Sequence, residues 1–141
     1  MQLRSFGIAL ALCTLMTGAA QAATLHFSAT LKGADEVPAN TSKGKGDVTA
    51  TLDPDTKTLS YTVTYSGLSG PATAAHFHGP AAPGTNAAPV ITMTTLASPI
   101  KGTAKLTALQ IADLSAGKWY FNVHTAAHQT GEIRGQLTKA P

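Results

Sequence analysis

Cysteine is nearly absent from this sequence of 141 residues, which contains only Cys13. Cys13 lies in an apolar N-terminal segment that we expect to be removed from the mature protein. The 119 residues that remain (141 minus 22) then hold no disulfide, no thiol nucleophile and no cysteine-ligated metal. Stability must come from a hydrophobic core, and a chain of this length can bury enough apolar surface to form one.

Charged residues are also scarce, at 12% of the sequence, and the formal net charge is only +3. The basic residues are scattered, and the densest group is Lys43-Gly44-Lys45. A nucleic-acid-binding domain normally has a clustered basic face, and adhesion to an anionic membrane also needs one. We therefore expect no nucleic-acid partner, and no membrane partner once the N-terminal segment is gone.

The first 22 residues have the three parts of a cleavable signal peptide. Arg4 supplies a positive charge, residues 5–20 are apolar or small, and Ala20-Gln21-Ala22 is a cleavage site of the A-x-A type. A transmembrane anchor is disfavoured because polar residues interrupt an apolar run that is already short for a span of ~20 residues. The sequence predicts a signal peptide over residues 1–22, one domain over residues 23–141, and a periplasmic or secreted location.

Alternation of apolar and polar residues with a period of two dominates the rest of the chain. It predicts strands at Thr24–Leu31, Val48–Leu52, Leu59–Tyr65 and Ala72–His78, and shorter ones around residues 90–95, 119–123 and 133–137. Thr107–Ala116 is the one helical stretch, and Thr107 and Gln110 have the spacing of a capping box. Seven or so short strands separated by turns predict an all-β antiparallel sandwich with one short helix.

Four segments carry a more specific pattern: GADEVP (residues 33–38), AAHFHGPA (74–81), WYFNVHT (119–125) and GEIRGQL (131–137). Together they closely resemble the CHRD domain, a module named after chordin, over about residues 24–137. The resemblance implies a β-sandwich of the immunoglobulin-like or Cu,Zn-superoxide-dismutase-like kind and an exported bacterial single-domain member. The growth-factor antagonism of chordin does not transfer to a lone domain.

Four of the five histidines lie in or beside these motifs. His76 and His78 are two positions apart on a predicted strand, so their side chains project from the same face of the sheet. His124 ends another strand, and His128 follows in a loop where the CHRD family usually has other residues. Because neutral imidazole suits Cu(II) and Zn(II), we predict a metal site formed by these four residues, with copper favoured over zinc. The alternative is that the rings only donate hydrogen bonds to backbone carbonyls and hold a turn.

Glu132 and Arg134 are two apart on the last predicted strand and share a face. The favoured interpretation is a structural pair that satisfies the backbone of neighbouring loops, since arginine has five donors in a fixed fork. Metal-bound histidines usually donate their second ring N–H to an acceptor, so Glu132, with Arg134 beside it, is also a candidate to support His124 in that way.

Three functions remain open from the sequence. The favoured one is a non-enzymatic module that binds copper in storage, delivery or tolerance. The second is a metal-free module of the cell envelope that binds a protein or a glycan. The third and weakest is a redox enzyme of superoxide-dismutase type: that family also uses an H-x-H strand, but here the loop after His78 is rich in Pro, Ala and Gly and has no carboxylate.

Overall fold

The computed structural model describes residues 22–141, so the predicted signal peptide lies outside the described residues except for Ala22. The strands are β1 (Leu25–Lys32), β2 (Lys45–Asp53), β3 (Thr58–Ser66), β4 (Ala72–His78), β5 (Pro89–Thr92), β6 (Ile100–Lys105), β7 (Tyr120–Thr125), β8 (Ile133–Gln136) and β9 (Thr138–Lys139). A 3-10 turn (Gly33–Asp35) follows β1, and the helix α1 (Ala108–Ser115) joins β6 to β7. The predicted all-β fold with one short helix is confirmed.

All strand pairings are antiparallel and form one path in the order β5-β4-β7-β8-β1-β2-β3-β6, with β9 added beside β1. Strands β8 and β1 meet through a single residue pair, Lys32 with Arg134. The path therefore divides into two four-stranded halves that face each other, as in a sandwich or a nearly closed barrel.

The core fills the space between the two halves. Phe27 and Leu31 of β1 face inward from one half, and Phe77 and Phe121 of β4 and β7 from the other. The rings of Tyr61 and Phe77 meet across the interior with centroids 5.1 Å apart. The alternating pattern produces this core because every second side chain of a strand points to the same face.

The local turn chemistry agrees with the sequence. The Asp53 side chain accepts hydrogen bonds from the backbone N–H groups of Asp55 and Thr56 in the β2–β3 turn. Thr107 caps α1, and its capping box with Gln110 is complete. Strand β6 was not predicted, because Gly102 and Ala104 leave its inward face with little apolar pattern.

The outer face of β4 and β7 is covered by the loop of residues 79–88. The loop is held there by hydrogen bonds from Ala81 N to Lys118 O and from Ala87 N to the Tyr120 hydroxyl. Tyr120 and Asn122, which alternation places on a solvated face, are in consequence only 2% and 3% exposed. Among the described residues, no helix is long and apolar enough to cross a membrane. The cover creates a second, polar interior beside the apolar core.

Candidate metal centre

Three histidines converge at the edge of this polar interior because β4 pairs with β7; His78 is buried, and His76 and His124 are half-buried. The antiparallel register sets His76 opposite Asn122 and Ala74 opposite His124, so the rings of His76, His78 and His124 share one face. One nitrogen from each of the three rings lies within 4.8 Å of the others. His76 Nδ1 and His124 Nε2 are 3.2 Å apart. Two imidazoles that share an ion at ordinary bond lengths have nitrogens about 2.9–3.4 Å apart, so this spacing fits a metal.

Backbone carbonyls fix the tautomers of two of these rings. His78 Nδ1 lies 2.9 Å from Ala87 O, and His124 Nδ1 lies 2.9 Å from Gln129 O. A carbonyl oxygen only accepts, so each Nδ1 carries the hydrogen and donates it. In the neutral rings Nε2 then carries the lone pair that a metal needs, while the second nitrogen is held by an outer acceptor. In the absence of a metal, His124 Nε2 can accept a hydrogen bond from His76 Nδ1.

The environment favours neutral rings. Burial lowers the pKa of His76, and the neighbouring His124 and His78 rings lower it further. Burial also lowers the pKa of His78, which is 7% exposed, and this outweighs the opposing hydrogen bonds to Ala87 and Asn122. Metal ions bind the unprotonated form of imidazole, so the lowered pKa values of His76 and His78 favour the form that could bind a cation.

Asn122 lies between two of the histidines and was not identified from the sequence. Its Oδ1 is 2.9 Å from His78 Nε2 and 3.0 Å from His124 Nε2. The His78 ring also stacks on the ring of Tyr120, with centroids 4.6 Å apart and planes 3° from parallel. The only available signal for Asn122 was its place two residues before His124 on the same face of a strand.

His128 lies in the turn that follows β7. Its N–H donates to Thr125 O, and its carbonyl accepts from Thr125 N. The group of described side chains that could hold an ion consists of His76, His78 and His124, without His128. His128 therefore closes the turn with its backbone, and its ring is not one of the three that converge.

Glu132 is fully buried and is surrounded by donors. Its carboxylate accepts hydrogen bonds from the Ser42 and Thr125 hydroxyls and from both the backbone N–H and the hydroxyl of Ser69, at 2.6–2.7 Å. Burial alone would raise its pKa, but these bonds lower the pKa to about 2. The acceptor for the His124 ring N–H is the Gln129 carbonyl, and the contacts of Glu132 are with serine and threonine.

Arg134 fixes the covering loop. Its guanidinium donates to Thr85 O at 2.6 Å and to Asn86 Oδ1 at 2.9 Å. Its Cζ lies 3.4 Å from the centroid of the Tyr120 ring, a cation–π contact. Arg134 therefore acts on the site indirectly, by holding the loop and the tyrosine that packs against His78.

An antiparallel β-sandwich with three converging imidazoles on one sheet face defines a small β domain with a candidate metal centre. The chain belongs to the CHRD domain family, whose model matches residues 27–137. The resemblance predicted from the four motifs is thereby confirmed. Among curated proteins and among solved structures, none matches the chain significantly.

Proposed function

We propose that this protein is an exported, non-enzymatic CHRD-domain protein that binds a copper ion through His76, His78 and His124. The observation that carries the proposal is the convergence of three imidazole nitrogens within 4.8 Å. Export is supported by the signal-peptide pattern of residues 1–22. Storage, delivery or tolerance of the metal outside the cytoplasm is the role that suits such a domain.

Copper is favoured by the donor set. Imidazole ligands suit copper and zinc, whereas calcium and magnesium prefer oxygen ligands. Cu(II) binds nitrogen donors more tightly than Zn(II) in the general order of divalent metals. Zinc is therefore the second choice. We keep His128 as the candidate for a fourth ligand, because it follows His124 by only four residues.

One observation also favours a metal-free structural module. The ring N–H groups of His78 and His124 anchor Ala87 and Gln129, which belong to the two loops flanking the site. In that case the histidines serve only to hold the loops, and the domain would bind an envelope protein or a glycan. This alternative predicts that the protein takes up no added metal and that added metal does not change its stability.

The test is to titrate the purified protein with Cu(II) and with Zn(II). Calorimetry measures the affinity, and metal analysis measures how many ions are bound. We expect about one equivalent to bind, with copper tighter. His76→Ala and His124→Ala should each weaken binding at least tenfold, because each removes one of three ligands. His128→Ala tests the fourth ligand and should have a smaller effect.

His26→Ala is the matched control, because His26 is an exposed residue of β1 opposite Thr51, remote in the sheet order from β4 and β7. It should bind metal like the wild type. Absence of binding in the wild type would reject the metal proposal, and so would unchanged binding by His76→Ala and His124→Ala. A dismutase assay on copper-loaded protein separates the redox alternative, for which we expect no activity.

A further inference from the structure

Asn122 brings an oxygen atom into the group of converging histidines. Its Oδ1 lies 2.9 Å from His78 Nε2 and 3.0 Å from His124 Nε2. The side chain is buried and projects from the same face of the β4–β7 pair as the three rings, because Asn122 lies opposite His76 in the register. The oxygen is therefore as close to two of the ring nitrogens as the ligands of one ion are to each other.

None of these three atoms has a hydrogen to offer the other two. The Nδ1 hydrogens of His78 and His124 are donated to Ala87 O and Gln129 O, so in the neutral rings both Nε2 atoms are acceptors. The amide oxygen of Asn122 is also an acceptor. Acceptors 2.9–3.0 Å apart repel one another, and a cation among them turns the repulsion into attraction.

The metal-free protein can remove the repulsion in another way. His76 Nδ1 can donate to His124 Nε2, 3.2 Å away. The amide of Asn122 can turn over, so that its NH2 group donates to His78 Nε2. The oxygen and nitrogen of a side-chain amide occupy equivalent positions, so this turn needs no movement of the backbone or of the rings. The orientation with the oxygen toward both Nε2 atoms is therefore the one that a cation stabilises.

We propose that Asn122 Oδ1 is a ligand of the metal, in addition to the imidazole nitrogens of His76, His78 and His124. The inference rests on the proposed metal function. Two ligands that share one ion at ordinary bond lengths are about 2.9–3.4 Å apart. The distances of 2.9 and 3.0 Å from Asn122 Oδ1, and the 3.2 Å between His76 Nδ1 and His124 Nε2, fall in this range. Unlike His128, Asn122 already lies at this distance from two of the rings.

The mixed donor set narrows the choice of ion and of its oxidation state. Nitrogen and oxygen donors in combination are typical of Cu(II), whereas Cu(I) is selected by soft sulfur ligands. Met93 is the one sulfur-containing residue among residues 22–141, and it belongs to the apolar core. Asn122 therefore favours Cu(II) over Cu(I) at this site.

The direct test is infrared spectroscopy of protein whose asparagines carry carbon-13 at the side-chain carbonyl. The C=O stretch of Asn122 should fall in frequency when Cu(II) is added to the metal-free protein, because coordination weakens the C=O bond. Asn122→Leu identifies the band by its loss. Asn40 and Asn86 are internal controls, because their Oδ1 atoms accept hydrogen bonds from Ser42 N and from Arg134. Their bands should not move.

Affinity tests the same ligand by a second route. Asn122→Leu keeps the size of the side chain and removes the oxygen, so it should bind Cu(II) about tenfold more weakly than the wild type. Its affinity for Cu(I), measured without oxygen, should change less. Asn122→Asp is the matched variant, because it keeps an oxygen at this position; it should bind Cu(II) at least as tightly as the wild type.

An Asn122 band that does not move when Cu(II) binds would overturn the inference and leave the proposed function intact. Equal losses of Cu(II) and Cu(I) affinity in Asn122→Leu would also overturn it, because a residue that only positions the rings affects both ions alike. If Asn122→Leu does not fold, Asn122→Asp serves to assign the band of the wild type. Failure of the wild type to bind Cu(II) would instead reject the proposed function.

Discussion

Two glutamates are buried in the described part of the chain, and their surroundings are opposite. Glu132 accepts four hydrogen bonds from Ser42, Ser69 and Thr125. The carboxyl group of Glu36 packs on Gly131, the residue before Glu132, and one of its oxygens has no partner among residues 22–141. Donors keep the pKa of Glu132 at about 2 against the effect of burial, whereas burial raises the pKa of Glu36 to about 7.

The difference shows how the same residue type can serve two purposes in one small domain. The Glu132 carboxylate joins the loop before β2, the loop before β4 and the end of β7, so its charge stabilises the fold. Glu36 can lose or gain its proton near neutral pH, because burial raises its pKa to about 7. A buried carboxylate is thus a structural element or a titrating one according to its donors.

The largest effect is expected from Glu132→Gln. The new NH2 group faces donors instead of accepting from them, so the variant should lose about 3 kcal/mol of unfolding free energy. Urea unfolding at pH 7 measures the loss. Asp47→Asn is the control, because Asp47 is an exposed carboxylate with one hydrogen bond from Thr30, and its loss should stay below about 0.5 kcal/mol. A value for Glu132→Gln as small as that of the control would contradict the structural role.

The second prediction concerns the loss of stability at acidic pH that Glu132 causes. The folded pKa of Glu132 is lower than the ordinary value of 4.5, so its contribution is complete above pH 4.5 and declines as the pH falls toward 2. The wild type should lose about 2–3 kcal/mol through this group over that range. Glu132→Gln should have a flatter profile, as measured by urea unfolding at pH 5, 4 and 3. Parallel profiles for the two proteins would show that Glu132 is not the group responsible.

The smallest effect is expected from Glu36→Gln in the metal-free protein. The folded pKa of Glu36 is higher than 4.5, so its contribution is complete below pH 4.5 and is lost as the pH rises through 7. Relative to the wild type, the variant should therefore gain about 2 kcal/mol between pH 5 and pH 8. Chemical unfolding in the presence of a chelator measures the gain. A constant difference between the two proteins at all pH values would remove the contrast between the two glutamates.

The parts of the site that depend on one strand could be predicted from the sequence. Alternation placed His76 and His78 on one face of β4 and indicated that Phe121 belongs to the core, and both are confirmed. The position of Asn122 in a polar interior could not be predicted, because alternation alone does not show that residues 79–88 fold over that face. Period-two patterns report which side chains share a face, and not what covers it.

The carboxylates illustrate the same limit over longer distances. The donors of Glu132 come from Ser42 and Ser69, 90 and 63 positions away in the chain. The packing of the Glu36 carboxyl group on Gly131 joins the loop after β1 to the loop before β8. No local pattern carries such pairings, since they follow from the order of the strands in the sheet. The Gln129 carbonyl as the acceptor for His124 could not be predicted from the sequence for the same reason.

The pairing of β4 with β7 has a consequence for how the protein is made. His76 and His124 are 48 positions apart, and their rings meet only when the two strands pair across the intervening β5, β6 and α1. A growing chain that has passed His78 holds two of the ligands and lacks the third. An ion bound by all three histidines therefore favours the completed fold over every shorter or unfolded form. Such an ion would stabilise those molecules in which β7 has already paired with β4.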